Sequence, residues 1–366
     1  STVMSNLTAL RTTFVLSVAL STATARSQSV TLPRPSPAAV AAQTIGISTV
    51  TVNYSRPAVK GREIWGKQVP YGYNVQGFGL GNSAPWRAGA NENTVITFTD
   101  EATVEGHPVP AGSYGLFFVI NQDNSGEVIL SKDYRSWGSF FYDPKNDLMR
   151  AKIQPRPLQM TELLTYDFLN VSKNSAEMVL NWEKLQFPVK ISFDADNIVM
   201  ANAEQQLKST TGFGYLGFVS AANYALANKL TSYYDESLKW IEQAINANRS
   251  YTTLSVKSRL LKEAGKTAEA DKTMSEALTV ATEVEINAYG YQLLAAKDND
   301  KAIEILTMNT QRFPRSANTW DSLGEAYATK GDKKNAIINF KKSLSLNPPA
   351  ATKANSEKFL AQLGAN

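Results

Sequence analysis

The 366-residue sequence contains no cysteine and a single histidine, His107. Without cysteine there is no disulfide, no thiolate nucleophile, no sulfur-ligated metal and no thiol to carry a lipid. One imidazole excludes histidine-rich zinc sites and leaves one residue for a nucleophile–histidine arrangement. His107 lies in Glu105-Gly-His-Pro108, and neither serine nor carboxylate stands at a spacing that marks a partner, so it reads as a surface turn residue. Charge is sparse too: 19% of residues are charged, the net charge is +4, and no dense Lys/Arg block appears. That distribution argues against a nucleic-acid partner. Beyond the N-terminal stretch, no run is long and apolar enough to predict a transmembrane segment in the mature protein.

What is present is a normal globular balance, with 43% hydrophobic residues. The length exceeds what one core usually organises, which predicts at least two domains. The N-terminus has the form of an export signal. Met4 reads as the start, Arg11 as the positive segment, Thr12 to Ala23 as a short apolar run, and Ala23-Thr-Ala25 as a small-x-small cleavage site. The expectation is a signal peptide over residues 1–25, cleaved near Ala25, and a periplasmic or extracellular protein. Residues 26–37 form a spacer whose Leu32-Pro-Arg-Pro-Ser-Pro37 cannot be helical.

Residues 38–193 are rich in Val, Ile, Thr, Tyr and Phe, broken by Gly, Pro, Asn and Asp. Strand-like runs are Ile47 to Tyr54, Thr94 to Thr99, Ser113 to Ile120, Glu127 to Ser131, Leu163 to Phe168, Ala176 to Trp182 and Val189 to Phe193. Many short strands at this spacing predict a β-sandwich or open barrel. Residues 194–214 read as a linker in which Asp194 caps a short helix through Lys208.

From 215 to 366 the composition turns to Ala, Leu, Lys, Glu and Asn with helical spacing. Trp320, Leu323, Gly324, Tyr327, Ala336, Phe340 and Pro348 fall at the spacings W-x2-L-G-x2-Y, A-x3-F, P of the tetratricopeptide repeat. Gly290, Ala302 and Pro314 precede Gly324, Ala336 and Pro348 by one 34-residue period. Two degenerate repeats come before, one with Leu254, Leu261, Ala270, Met274 and Ala277, the other with Ala221, Tyr224, Ala225, Ile241 and Ala244. Small residues suit close helix crossings and large ones fill between helices. Each pair leaves an apolar face that the next must cover. The concave face of such an array is a candidate surface for a protein partner, although a short array could also serve only to pack on its own β domain. Lys333, Lys334, Lys341 and Lys342 read as solvated helix surface.

The β region carries dense strings: Tyr54-Ser-Arg-Pro-Ala-Val-Lys-Gly-Arg-Glu-Ile-Trp-Gly66, Val69-Pro-Tyr-Gly72, Trp86-Arg-Ala-Gly-Ala-Asn-Glu-Asn-Thr94, Val109-Pro-Ala-Gly-Ser-Tyr-Gly115 and Trp137-Gly-Ser-Phe-Phe-Tyr142. Over about Ser36 to Phe193 the chain resembles domain-of-unknown-function family 2911, found in exported bacterial proteins. Members often carry tetratricopeptide-like repeats behind this domain, as here. The stretch Tyr73 to Pro85 is longer than in some members. The resemblance implies architecture and no activity. The fold class is therefore α+β multidomain, an N-terminal all-β sandwich-like domain followed by a C-terminal α-helical tetratricopeptide-like solenoid.

The same strings concentrate cations and aromatics in loops, where sites on a rigid scaffold form. Arg offers a planar fork for carboxylate or phosphate, and Trp a flat face for a sugar or base. The candidate ligand-binding set is Arg56, Lys60, Arg62, Trp65, Trp86, Arg87, Asn91, Glu92 and Trp137, for a small anionic or carbohydrate ligand; internal ion pairs and core packing would explain the same residues structurally. No metal ligand set and no cofactor signature is apparent. Asn121-Gln-Asp-Asn-Ser-Gly126 begins like a calcium loop, but Lys132 stands where the closing glutamate belongs. Gly77-Phe-Gly-Leu-Gly81 opens no helix and lacks the phosphate-loop Lys-Ser/Thr. The leading expectation is an exported, non-enzymatic binding or scaffolding protein. The alternative is a metal-independent glycan hydrolase using paired carboxylates from Glu92, Asp143 and Asp147.

Overall fold

The computed structural model describes residues 29–365, so the export signal read over residues 1–25 lies outside the described residues. The strands in chain order are β1 (Ala38–Ile45), β2 (Ser48–Ser55), β3 (Asn74–Val75), β4 (Ser83–Ala84), β5 (Val95–Phe98), β6 (Ala102–Val104), β7 (His107–Val109), β8 (Gly112–Ile120), β9 (Gly126–Ser131), β10 (Asp147–Ile153), β11 (Arg156–Leu169) and β12 (Ser175–Ser192). They build a six-stranded sheet β1-β2-β5-β8-β9-β10 and a four-stranded sheet β11-β12-β6-β7, with β3-β4 as a small separate ribbon. The two large sheets share one core. Val50, Val52, Ile96, Phe98, Leu116 and Phe118 come from the first sheet, and Leu164, Tyr166, Met178, Leu180, Phe187 and Ile191 from the second. This is the sandwich expected from the short-strand pattern.

In β8, Tyr114, Leu116, Phe118 and Ile120 face the inter-sheet core, while Phe117 and Val119 face the other way into a second cluster with Ala84, Ile129 and Tyr142. Alternation alone would leave that outer face wet. The continuous apolar run of β8 requires cover on both faces, and the loops carrying β3, β4 and Tyr142 supply it. The lengthened Tyr73 to Pro85 stretch is part of that cover. Tyr73 is pinned there by donating to Glu127 Oε2 at 2.8 Å and accepting from Arg150 Nη1 at 3.0 Å. Burial, aided by Glu127, raises the Tyr73 phenol well above its usual pKa, so it stays a neutral donor.

Some elements depart from the sequence reading. Ala38–Ile45 is alanine-rich and not strand-prone, yet it pairs along its whole length with β2. Tertiary pairing overrides propensity there. Ala176 to Trp182 and Val189 to Phe193, read as separate runs, belong to one 18-residue strand, β12. Its register with β11 shifts at Thr161–Glu183, where Glu183 takes φ 55°. Such an irregularity bends the strand without ending it. His107 is exposed in the β6–β7 hairpin, and Asn121 to Gly126 forms the turn between β8 and β9.

Helix α1 (Ala195–Leu207) follows directly, with the Asp194 side chain accepting from the Asn197 backbone as its N-cap. Its first turns pack Ile198 against the sandwich core and Met200 into the helical core. Lys173 of the β11–β12 turn ties the two together, donating to Asp196 at 2.8 Å and to Asn228 at 3.0 Å. The hydrogen bond from Lys173 holds the Asp196 carboxyl below the usual range. Within the segment 194–214 read as a linker, helix α1 is thus packed at the joint, whereas Thr210–Phe213 buries no residue.

Beyond it lie α2 (Leu216–Ala227), α3 (Tyr234–Ala247), α4 (Tyr251–Glu263), α5 (Thr267–Thr279), α6 (Glu283–Ala295), α7 (Asn299–Arg312), α8 (Ala317–Lys330), α9 (Lys333–Ser345) and α10 (Ala350–Gln362). They pack as the pairs α2–α3, α4–α5, α6–α7 and α8–α9, with α10 on the last pair. Gly290 faces Leu306 and Gly324 faces Phe340 across the crossings within α6–α7 and α8–α9. Both crossings are as the repeat spacing required. Asp321 on α8 accepts from Ser356 Oγ at 2.5 Å and Asn355 Nδ2 at 2.9 Å, which seats α10. Among the described residues, no helix is long and apolar enough to cross a membrane.

Candidate functional site

Trp86 forms an antiparallel bridge with Phe118, its N–H donating to the Phe118 carbonyl at 2.9 Å and its own carbonyl accepting at 3.0 Å. That bridge fastens the Trp86–Asn93 turn to the sandwich. The turn is conformationally costly: Ala88 has φ 54° and Asn91 φ 62°, in the left-handed region. Its shape is enforced by Tyr166 Oη donating to the Ala88 carbonyl at 2.8 Å, and by Thr94 Oγ1 donating to the Arg87 carbonyl at 2.8 Å. Non-glycine residues held this way often mark functional turns.

Beside this turn lies a cavity of about 510 Å³. That size falls within the about 300–1,000 Å³ typical of small-ligand sites. The half-exposed Trp86 supplies an aromatic face to the lining, backed by the buried Trp182, whose ring stacks on it 5.9 Å away at 16°. Gln68, Asn74, Gln76, Asn91 and Ser139 supply polar groups, and Arg62 and Arg87 supply charge. No aspartate or glutamate lines it.

Arg87 is the distinctive group. It is half-buried, and burial pushes its pKa down. Arginine nevertheless remains protonated in proteins. Its Nη1 donates to the Asn91 carbonyl at 2.7 Å, and among the described residues it has no carboxylate partner. The ring of Phe140 lies 5.8 Å from its Cζ, and Gly138 packs against the guanidinium. Among the described residues no other hydrogen-bond acceptor takes its donors, so most of its five N–H groups are left for a ligand in the cavity.

The neighbouring acid is already engaged. Glu92 receives both Nη atoms of Arg34, at 2.8 and 2.6 Å, and this hydrogen-bonded pairing holds the Glu92 carboxyl below the usual range. Arg34 also lies 5.9 Å from the Trp137 ring. The proline-rich segment is thereby strapped to the domain, and Asn91 Nδ2 donates to the Ser36 carbonyl at 3.3 Å.

The structure brings Arg62, Trp86, Arg87 and Asn91 together at the cavity and places the other sequence candidates elsewhere. Arg56 pins β2 to β11, donating to the Leu164 carbonyl at 2.9 Å and Thr165 Oγ1 at 2.8 Å. Lys60 is exposed in a turn, its backbone N–H bound to Glu162 Oε1 at 2.8 Å. Trp65 belongs to an aromatic cluster with Trp86, Trp182 and Phe187, and its Nε1 donates to Glu183 Oε1 at 3.0 Å. Glu92 and Trp137 hold the strap. Arg62 lines the cavity but spends its nitrogens on the Val59 and Ala58 carbonyls and Gln68 Oε1.

Gln68, Asn74, Gln76, Ser139 and Trp182 were missed, because they converge from four separated segments. Only the aromatic string around Ser139 and the long loop around Asn74 were visible as unusual. The three carboxylates of the hydrolase alternative do not meet at this wall. Glu92 pairs with Arg34, Asp143 caps a short 3-10 turn by accepting from Lys145 N at 3.0 Å, and Asp147 accepts from Tyr142 Oη at 2.7 Å and from Arg150. Among the described residues no group of three metal-ligating side chains comes together.

The family models agree with this architecture. Residues 36–191 match the family described as protein of unknown function (DUF2911), and residues 317–349 match a tetratricopeptide repeat. Similar solved structures include YrrB, described as a TPR protein with an unusual peptide-binding site, at 16% identity over 44% of this chain and 84% of that one, with TM-score 0.28. MamA is similar at 15% identity over 42% and 89%, with TM-score 0.28. Pseudomonas aeruginosa pilF is similar at 17% identity over 42% and 71%, with TM-score 0.28. Among curated proteins none matches.

Proposed function

We propose that this chain, a DUF2911 domain at residues 36–191 followed by a tetratricopeptide-type helical array, is an exported binding protein that joins two recognition surfaces in one rigid unit. The helical array contacts a protein partner, and the Arg87 cavity of the sandwich takes a small anionic ligand. The observation that carries the second half is the half-buried Arg87 guanidinium without a carboxylate partner, in a cavity lined by two arginines and no acid.

Support for the first half is the repeat match and the stacking of successive pairs. Arg259 of α4 donates to Asn223 of α2 at 2.8 Å, and these two residues with Leu226, Lys262 and Glu263 border a groove of about 400 Å³. Arrays of this kind present extended concave surfaces. The packed joint at α1 supports the notion of a single unit. The export reading rests on Arg11, the apolar run Thr12 to Ala23 and Ala23-Thr-Ala25.

The test has three arms. Anion titration of the full chain is expected to saturate, and Arg87→Gln to abolish it; equal binding by both proteins contradicts the ligand half. Co-purification is compared between the wild type and the double charge reversal Arg259→Glu, Lys262→Glu. Loss of a captured protein supports the array as the contact, and unchanged capture counts against that face. N-terminal sequencing of protein from the producing cell is expected to begin near residue 26, and a retained leader would contradict export.

A further inference from the structure

We infer that the Arg87 cavity recognises a sugar carrying one carboxylate, a uronic acid, as a free monosaccharide or a unit of an acidic glycan; this rests on reading the cavity as an anion site. Three features of the lining restrict the ligand more than charge alone does.

The first is the number of open cationic forks. Arg62 has its nitrogens committed to two carbonyls and Gln68 Oε1, whereas Arg87 spends one donor, on the Asn91 carbonyl. One open planar fork matches one carboxylate in two parallel hydrogen bonds. Phosphate is more commonly gathered by several cations or by a row of backbone N–H groups at a helix N-terminus. No residue of an α-helix lines this cavity.

The second is the unspent amide chemistry. Asn74 donates through Nδ2 to the Tyr71 and Gly72 carbonyls, and Asn91 through Nδ2 to the Ser36 carbonyl, which leaves each Oδ1 as an acceptor. Gln68 accepts through Oε1, which leaves its Nε2 donors. Gln76 makes no side-chain hydrogen bond among the described residues and lines the same space. Mixed donors and acceptors around one cation suit a ring of hydroxyl groups, which both donate and accept. A bare carboxylate such as acetate would leave them all unused.

The third is the wall. Trp86 is the half-exposed indole of the lining, held in place by stacking on the buried Trp182 and by Trp65, which crosses it edge-on with its centroid 5.7 Å away. A fixed aromatic surface beside polar groups is what the apolar C–H face of a pyranose packs on. Ring against tryptophan, hydroxyls toward the amides and carboxylate on Arg87 use every class of group in the lining.

The experiment is calorimetric titration of the full chain with D-glucuronate, D-glucose, acetate and inorganic phosphate at fixed ionic strength. Glucuronate is expected to bind at least tenfold more tightly than any of the other three. Arg87→Gln should remove that advantage, and Gln76→Ala should weaken glucuronate several-fold while leaving acetate unchanged. Gln76→Ala keeps the test open if Arg87→Gln fails to fold. Phosphate or acetate binding as tightly as glucuronate overturns the uronic acid inference and leaves the anion site standing. Glucose binding as tightly as glucuronate overturns both, as does the absence of binding by all four.

Discussion

Gly138 lies against the guanidinium of Arg87: a β-carbon at position 138 would stand 2.8 Å from Arg87 Cζ and 2.9 Å from Nη1. The contact aims the fork while adding no polar group that would consume it. Gly138 also has φ +59°, a conformation that other residues adopt at a cost. One short turn in the Trp137-Gly-Ser string therefore sets the geometry of a residue about fifty positions away in sequence.

Replacing Gly138 with alanine should disturb both functions of that glycine. Left-handed backbone costs an L-residue about 1–2 kcal/mol, and the methyl group must push Arg87 aside. Thermal denaturation should show a lower midpoint, and anion affinity should fall about tenfold, equivalent to roughly 1.4 kcal/mol. Unchanged affinity in a folded Gly138→Ala protein would show that the guanidinium needs no such support.

Arg56 should behave in the opposite way. Arg56→Ala removes two hydrogen bonds that fasten β2 to β11. One hydrogen bond to a charged group contributes about 1.5–3 kcal/mol, so losing two should lower stability in urea denaturation by at least about that much. Ligand titration should be unaffected, because Arg56 does not line the cavity.

Within the array, Gly290→Ala and Gly324→Ala separate two outcomes of one repeat position. Alanine gains about 1 kcal/mol of helix propensity over glycine, against an overpacking penalty of about 1–3 kcal/mol. At 290 the new methyl would meet Leu306 Cδ2 at 2.5 Å and Cγ at 2.6 Å, while at 324 it would meet the Phe340 ring at 2.9 Å. Gly290→Ala should therefore lower the thermal midpoint clearly, and Gly324→Ala by less. The reverse order in calorimetry would contradict this view of the crossings.

The strap should respond to acid. The hydrogen bond from Arg34 depresses the Glu92 carboxyl below its unfolded value. A depressed carboxylate contributes stability that is fully present above the unfolded pKa and is lost as pH falls through the folded one. The pair is largely exposed, so the effect on global stability is small. The local effect is readable: the Trp137 indole resonance should titrate as pH drops below the ordinary carboxylate range, and Arg34→Ala should remove that step. A Trp137 signal that is identical in both proteins at every pH would show that Arg34 does not hold the strap.

Legibility in the sequence divided along physical lines. Helix caps and crossings act over a few residues, so Asp194 as an N-cap and Gly324 opposite Phe340 could be read directly. The strand β1 could not, because its alanines become a strand only through β2. The candidate site was half legible for the same reason. Arg87 and Asn91 share one strained turn and announced themselves together. Gln76 and Ser139 reach the cavity through the loops that cover the outer face of β8, and Trp182 reaches it from the opposite sheet, as a core residue of β12 stacked on Trp86. Arg56 and Trp65 carried the same chemical signal as Arg87, and what distinguishes them is whether a carbonyl or carboxylate already occupies their donors, which composition does not record.

The most direct test observes the Arg87 side-chain Nε–H by nuclear magnetic resonance in the full chain while a carboxylate ligand such as D-glucuronate is added. An open fork predicts a saturable shift of the Arg87 signal, with the Arg56 and Arg62 signals unmoved because their donors are committed. An Arg87 signal that stays fixed through the titration, or shifts of equal size at all three arginines, would contradict the account.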